Sequence, residues 1–114
     1  MSVLREVPMA KYLVQANYVG EGLKGLLKEG GSSRRKAVEK LFESVGGKVE
    51  AFYYAFGDTD LFVIADLPDH ASAAALSLTV SAAGTSTVKM TVLLTPEEID
   101  AASKKTPSFR PPGK

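Results

Sequence analysis

At 114 residues the chain is long enough for one hydrophobic core and too short for two. Its hydrophobic fraction of 45% and charged fraction of 24% are ordinary for a globular domain, and 14 basic against 13 acidic residues, a net charge of +1, give no electrostatic reason to bind nucleic acid or an anionic membrane. There is no cysteine, hence no disulfide or thiolate chemistry, and no apolar run approaches the ~20 residues needed to cross a bilayer, so the cytoplasm is the expected compartment.

Residues 1–8 read as a flexible N-terminal extension with no long apolar core, and Met9 offers a second natural start. A first strand follows over residues 12–19, with Tyr12, Val14, Ala16 and Tyr18 on one face and Leu13, Gln15, Asn17 and Val19 on the other. Leu23, Leu26 and Leu27 have helical spacing, but the surrounding glycines weaken it, so a short helix or a turn is expected before Gly30-Gly31. Ser32 or Ser33 then caps a better helix running to about Val45, its inward face Val38, Leu41, Phe42 and Val45. Two apolar runs, residues 49–56 and 61–67, meet at Gly57-Asp58-Thr59-Asp60 and predict a hairpin. Asp69 caps a second long helix, rich in Ala and Ser, that Gly84 ends. Residues 86–94 form a fourth strand with Val88, Met90, Val92 and Leu94 inward. Thr95-Pro96-Glu97-Glu98 starts a short helix, and residues 103–114, with three of the six prolines, read as an extended tail.

The order is β-α-β-β-α-β with a short C-terminal helix. This is an α+β, ferredoxin-like plan: a four-stranded antiparallel sheet in the order 4-1-3-2. Both long helices then cover one face of the sheet. Strand two offers the other face either Glu50, Phe52, Tyr54 and Phe56 or Ala51, Tyr53 and Ala55, and strand three is apolar on both faces too. A face open to water would alternate apolar and polar residues. A second copy of the chain is the simplest cover, so a homodimer or higher homo-oligomer is expected, in the form of a dimeric α/β barrel. Between such sheets Gln15, Asn17, Glu50, Tyr54, Lys89 and Thr91 are candidates to hold a small organic ligand; the plainer alternative is hydrogen bonding between subunits.

Taken together, Lys11-Tyr12-Leu13-Val14-Gln15-Ala16-Asn17-Tyr18, Glu21-Gly22-Leu23-Lys24-Gly25-Leu26-Leu27, Arg34-Arg35 with Val38-Glu39-Lys40-Leu41, and the hairpin resemble the GYD domain family over residues 9–102. The family takes its name from a Gly-Tyr-Asp signature between the second and third strands. Here Gly57 and Asp60 stand in that motif, but Thr59 precedes the Asp where the signature has tyrosine, so a role needing that phenol is not carried over. The resemblance implies a dimeric α/β barrel and no particular reaction. Related barrels include cofactor-independent monooxygenases, isomerases and plain ligand binders, and fold alone does not choose between them. A non-enzymatic assembly module whose tail docks on a neighbour is the third reading.

Residues that carry chemistry are few. Gly20-Glu21-Gly22-Leu23-Lys24-Gly25, with Glu39 further on, has the glycine spacing of a dinucleotide loop, but the following elements are not those of a dinucleotide fold, so no cofactor is implied. Ser32, Ser33, Arg34 and Arg35 at a helix start are a candidate anion site; alternatively Arg35 pairs with Glu39 and Arg34 with Glu29 or a partner chain. Asp58 and Asp60 either bind a cation or simply shape the turn. With one histidine in the chain, a metal centre built on several imidazoles is excluded. His70, Tyr54 and Asp60 are the candidate acids and bases should the chain be an enzyme.

Overall fold

The computed structural model describes residues 9–114, so the extension expected over residues 1–8 lies outside the described residues. The elements are β1 (Ala10–Tyr18), α1 (Glu21–Glu29), α2 (Gly31–Glu43), β2 (Lys48–Tyr54), β3 (Leu61–Leu67), α3 (His70–Ala83), β4 (Ser86–Leu93) and α4 (Pro96–Ser103). All strand pairs are antiparallel, in the order β2-β3-β1-β4. This is the expected α+β, ferredoxin-like sheet.

The alternation of side chains along each strand decides where the core sits. In β3, Leu61, Val63, Ala65 and Leu67 are buried, and they supply four of the ten core residues. From β1 come Tyr12, Val14 and Ala16; α2 adds Phe42, and α3 adds Ala73 and Leu76. Burying one Val or Leu side chain stabilises by ~1.5–3 kcal/mol, so the two central strands and the helices over them are the main source of stability. Val88 and Met90 of β4 pack against this core, whereas Val92, on this outer strand, and Leu94, one residue past its end, are exposed where inward positions were expected.

Local chemistry explains most boundaries. Asp69 accepts from the Ser72 amide at 2.7 Å and caps α3, and Gly84 closes it in the left-handed conformation. Thr95 and Glu98 form a reciprocal capping box on α4, with Pro96 at its first position. The start of α2 differs from expectation. Neither Ser32 nor Ser33 caps it; Ser33 Oγ donates to Glu29 Oε1 at 3.1 Å. Gly30, at φ +89°, instead joins α1 to α2 as a one-residue corner, its amide donating to Leu26 O and its carbonyl accepting from Arg34 N.

One of the glycines that weaken α1 in isolation, Gly22, has a packing reason. A Cβ on Gly22 would lie 1.9 Å from the Thr85 carbonyl oxygen, so only glycine lets α1 sit on the turn between α3 and β4. In the dinucleotide-like spacing, Gly20 therefore stands at the cap of a helix, Gly22 packs it and Gly25 lies inside it; they do not form a phosphate loop.

Strand β2 contains the one register shift. Val49 faces Ala65, but the next partner of Ile64 is Ala51, which leaves Glu50 as the extra residue of a bulge. The bulge resolves the two alternatives for this strand. Val49, Phe52 and Tyr54 face the helices, and Ala51 and Tyr53 face away. The strand also stops at Tyr54, two residues before the expected end, and Phe56 is fully exposed in the loop.

Candidate functional site

Two surfaces are built by this arrangement: a groove at one end of the helix face, and the bare face of the sheet.

The groove lies where β1 and β2 end beneath α1. Leu23, Leu26 and Leu27 of α1 form one wall, Tyr18, Tyr54 and Phe56 the other, and Gly30 and Gly31 the corner, with Asp60 at one end. Its volume is about 490 Å³. Leu27 is 79% exposed and Leu23 is 48% exposed, which is unusual for leucines on a helix that has a core to cover. The corner at Gly30 causes this: it turns α1 away from the sheet, so the leucines overhang the strand ends. Tyr54 is the polar feature of the wall. Its hydroxyl donates to the Gly31 carbonyl at 3.0 Å, and a Cβ on Gly31 would press on the ring at 3.0 Å. Burial pushes the Tyr54 phenol above its usual 10.0, with the neighbouring Tyr18 acting in the same direction, so it is a hydrogen-bond donor at neutral pH.

Asp60 is occupied structurally. Strand β3 begins at Leu61 opposite Ala16, so β1 runs on beyond its partner. There the Asp60 carboxylate accepts from the Tyr18 amide at 3.0 Å, and the Asn17 side chain accepts from the Asp60 amide at 2.9 Å. Gln15 Nε2 reaches Thr59 Oγ1 at 3.4 Å. The family's motif loop is thus tied to β1 by a reciprocal clamp that needs Asp60 and has no use for a phenol at position 59.

The bare face carries three rows across the sheet: Lys48, Asp66, Lys11, Leu93; Ala51, Ile64, Leu13, Thr91; and Tyr53, Phe62, Gln15, Lys89. The middle row and its neighbours Tyr53 and Phe62 form an apolar stripe, flanked at one end by charge. Lys11 Nζ bridges Glu50 Oε2 and Asp66 Oδ1, the latter at 3.0 Å, which ties the bulge to the central strands. Gln15, Asn17, Thr59, Thr87 and Lys89 border a shallow polar depression of about 360 Å³.

The six candidate ligand residues are therefore not one cluster. Gln15, Asn17, Lys89 and Thr91 share the bare face, Glu50 sits at its far end with Lys11, and Tyr54 lies on the opposite side of the sheet. Tyr54 was placed among them only by one of two parities, and the bulge selects the other. The candidate acids and bases also separate. The Tyr12 hydroxyl and His70 Nδ1 share a hydrogen bond at the start of β1, whereas Tyr54 and Asp60 lie at its far end, ~20 Å away for six residues of strand. At the candidate anion site Arg34 pairs with Glu29 at 3.8 Å and Arg35 with Glu39 at 3.7 Å, as the alternative reading expected. Among the described residues no group of three metal-ligating side chains gathers, and no helix is long and apolar enough to cross a membrane.

The groove itself was missed by sequence reading. Its one trace in the sequence, too weak to place it, is that Leu23, Leu26 and Leu27 follow a strand on a segment whose glycines give it no obvious core to join.

Fold and surfaces define a split βαβ domain with one bare sheet face and an apolar groove at one corner. The chain belongs to the GYD domain family, whose profile matches residues 12–103. No curated protein and no solved structure matches the chain.

Proposed function

We propose that this chain is a homodimeric binding protein of the cytoplasm that takes a flat, apolar organic ligand in the groove beneath α1. The groove carries the reading: about 490 Å³ walled by three leucines and three aromatic rings, two of them tyrosines whose hydroxyl oxygens can meet a polar group. The separation of His70 from Tyr54 and Asp60 favours binding over an acid–base reaction such as that of a cofactor-independent monooxygenase or isomerase. The apolar stripe of Ala51, Tyr53, Phe62, Ile64 and Leu13 supports pairing of two sheets face to face, as in a dimeric α/β barrel. The absence of cysteine fits a reducing compartment.

The test uses 2-naphthol, a flat aromatic probe with one hydroxyl, and amide chemical shifts. Titration is expected to move the amides of residues 26–31 and Phe56 and to leave Leu13 and Ile64 still. No shift at millimolar probe, or shifts confined to the sheet face, would overturn the reading.

A further inference from the structure

The last 21 residues stand apart from the domain. Every residue over 94–114 is exposed, although α4 within them is fully formed and held at its N-terminus by the Thr95–Glu98 box. Eight residues are too few for a helix to be stable alone, since isolated helices below ~12–15 residues are marginal in water. Leu94, Ile99 and Phe109 present large apolar side chains to solvent. Beyond α4 the sequence Thr106-Pro107-Ser108-Phe109-Arg110-Pro111-Pro112 has the composition of an extended polyproline-type segment. From Lys104 onward it carries Lys104, Lys105, Arg110 and Lys114 and no acidic residue.

Polyproline segments are recognised by grooves lined with aromatic rings, and a basic residue beside the prolines selects grooves with an acid at one end. The groove beneath α1 has both: Tyr18, Tyr54 and Phe56 in its wall, and Asp60 with Asp58 on the adjoining loop. Resting on the reading of that groove as a binding site, we propose that the arm clasps a second copy of this chain, residues 107–112 of each protomer lying in the groove of the other with Phe109 between the leucines and Arg110 toward Asp58.

Area favours a second copy as the partner. Four strands ~4.8 Å apart and about seven residues long at ~3.3 Å each offer a flat face of roughly 450 Å². A stable interface buries about 800 Å² on each partner, so the sheet face by itself falls short. Two arms, exchanged symmetrically, supply the remainder and close the assembly, because each copy gives one arm and receives one.

The natural lack of cysteine makes a clean test. Full-length Leu27→Cys and full-length Ser108→Cys are mixed under mild oxidant, with Ser81→Cys on the exposed side of α3 replacing Leu27→Cys as control. The clasp predicts a mixed disulfide dimer at least several-fold above the control, falling to control level when Phe109→Ala is added to the Ser108→Cys chain. It also predicts that Phe109→Ala alone tightens 2-naphthol binding several-fold by clearing the groove. A mixed dimer no stronger than the control overturns the clasp, as does a bridge formed only within one chain when both cysteines are placed together. The two ideas fail separately: probe binding without the mixed disulfide leaves the groove and removes the clasp, and loss of both removes both.

Discussion

Replacing Asp60 by alanine tests the claim that the motif loop is a clamp. The Tyr18 amide points beyond the end of β3, and its partner is the Asp60 carboxylate at 3.0 Å. Removing that acceptor leaves a half-buried amide short of a bond, and a hydrogen bond to a charged group is worth about 1.5–3 kcal/mol. Partial exposure puts the expected loss near the lower end, about 1.5–2 kcal/mol, or a fall in Tm of at least about 6 °C for a domain of this size. Asn17→Ala removes the reciprocal bond but costs less. The Asp60 amide keeps Ala16 O at 3.1 Å, so about 0.5–1 kcal/mol is expected. Asp60→Asn retains an uncharged acceptor and should fall between the two. Urea unfolding followed by far-UV circular dichroism reads all three. A cost for Asp60→Ala below about 0.5 kcal/mol, the usual range for an unremarkable surface change, would refute the clamp, as would Asn17→Ala costing as much as Asp60→Ala.

Lys11 gives a pH signature. Its ammonium is held above the usual 10.5, first by Glu50 and then by Asp66. A raised pKa in the folded state means that this stabilisation is complete below 10.5 and fades as pH climbs through the folded value. The difference in urea midpoint between wild type and Lys11→Met should be constant from neutral pH up to 10.5 and narrow as pH climbs through the raised folded value; a difference that does not narrow once the lysine has lost its proton would deny the ion pairs a role. Gly22→Ala should destabilise by about 1–3 kcal/mol despite the better helix propensity of alanine, because the new methyl meets the Thr85 carbonyl. A neutral or stabilising result in the same unfolding assay would mean that α1 does not dock there.

From the sequence, the strands and their order were legible because each carried a period-two pattern closed by strong stops: Gly57 to Asp60, Pro68, Asp69, Gly84 and Thr95. Two things were hidden. The parity of β2 could not be read because Phe52, Tyr53 and Tyr54 are aromatic on both faces, and the bulge that chooses between them sits at Glu50, a residue with no turn signature. The groove could not be read because α1 gains its place from the absence of a side chain at Gly22 and from the angle at Gly30, both of which propensity counts as defects. Asp60 reads in the sequence as a turn residue, a cation ligand or an acid–base group alike, and its partner Asn17 reads as a ligand residue, because a polar side chain on a bare face has the same pattern either way.

The bulge at Glu50 also bears on solubility. With the order β2-β3-β1-β4, β2 is an outer strand with backbone donors and acceptors turned outward, and its aromatic run would suit pairing with a strand of any other molecule. One extra residue breaks the even spacing such pairing requires, and it places a carboxylate at the break. On the opposite edge, β4 carries Lys89 at mid-strand. Deleting Glu50 would therefore do more than misplace Phe52 and Tyr54: it would turn a guarded edge into a template for aggregation.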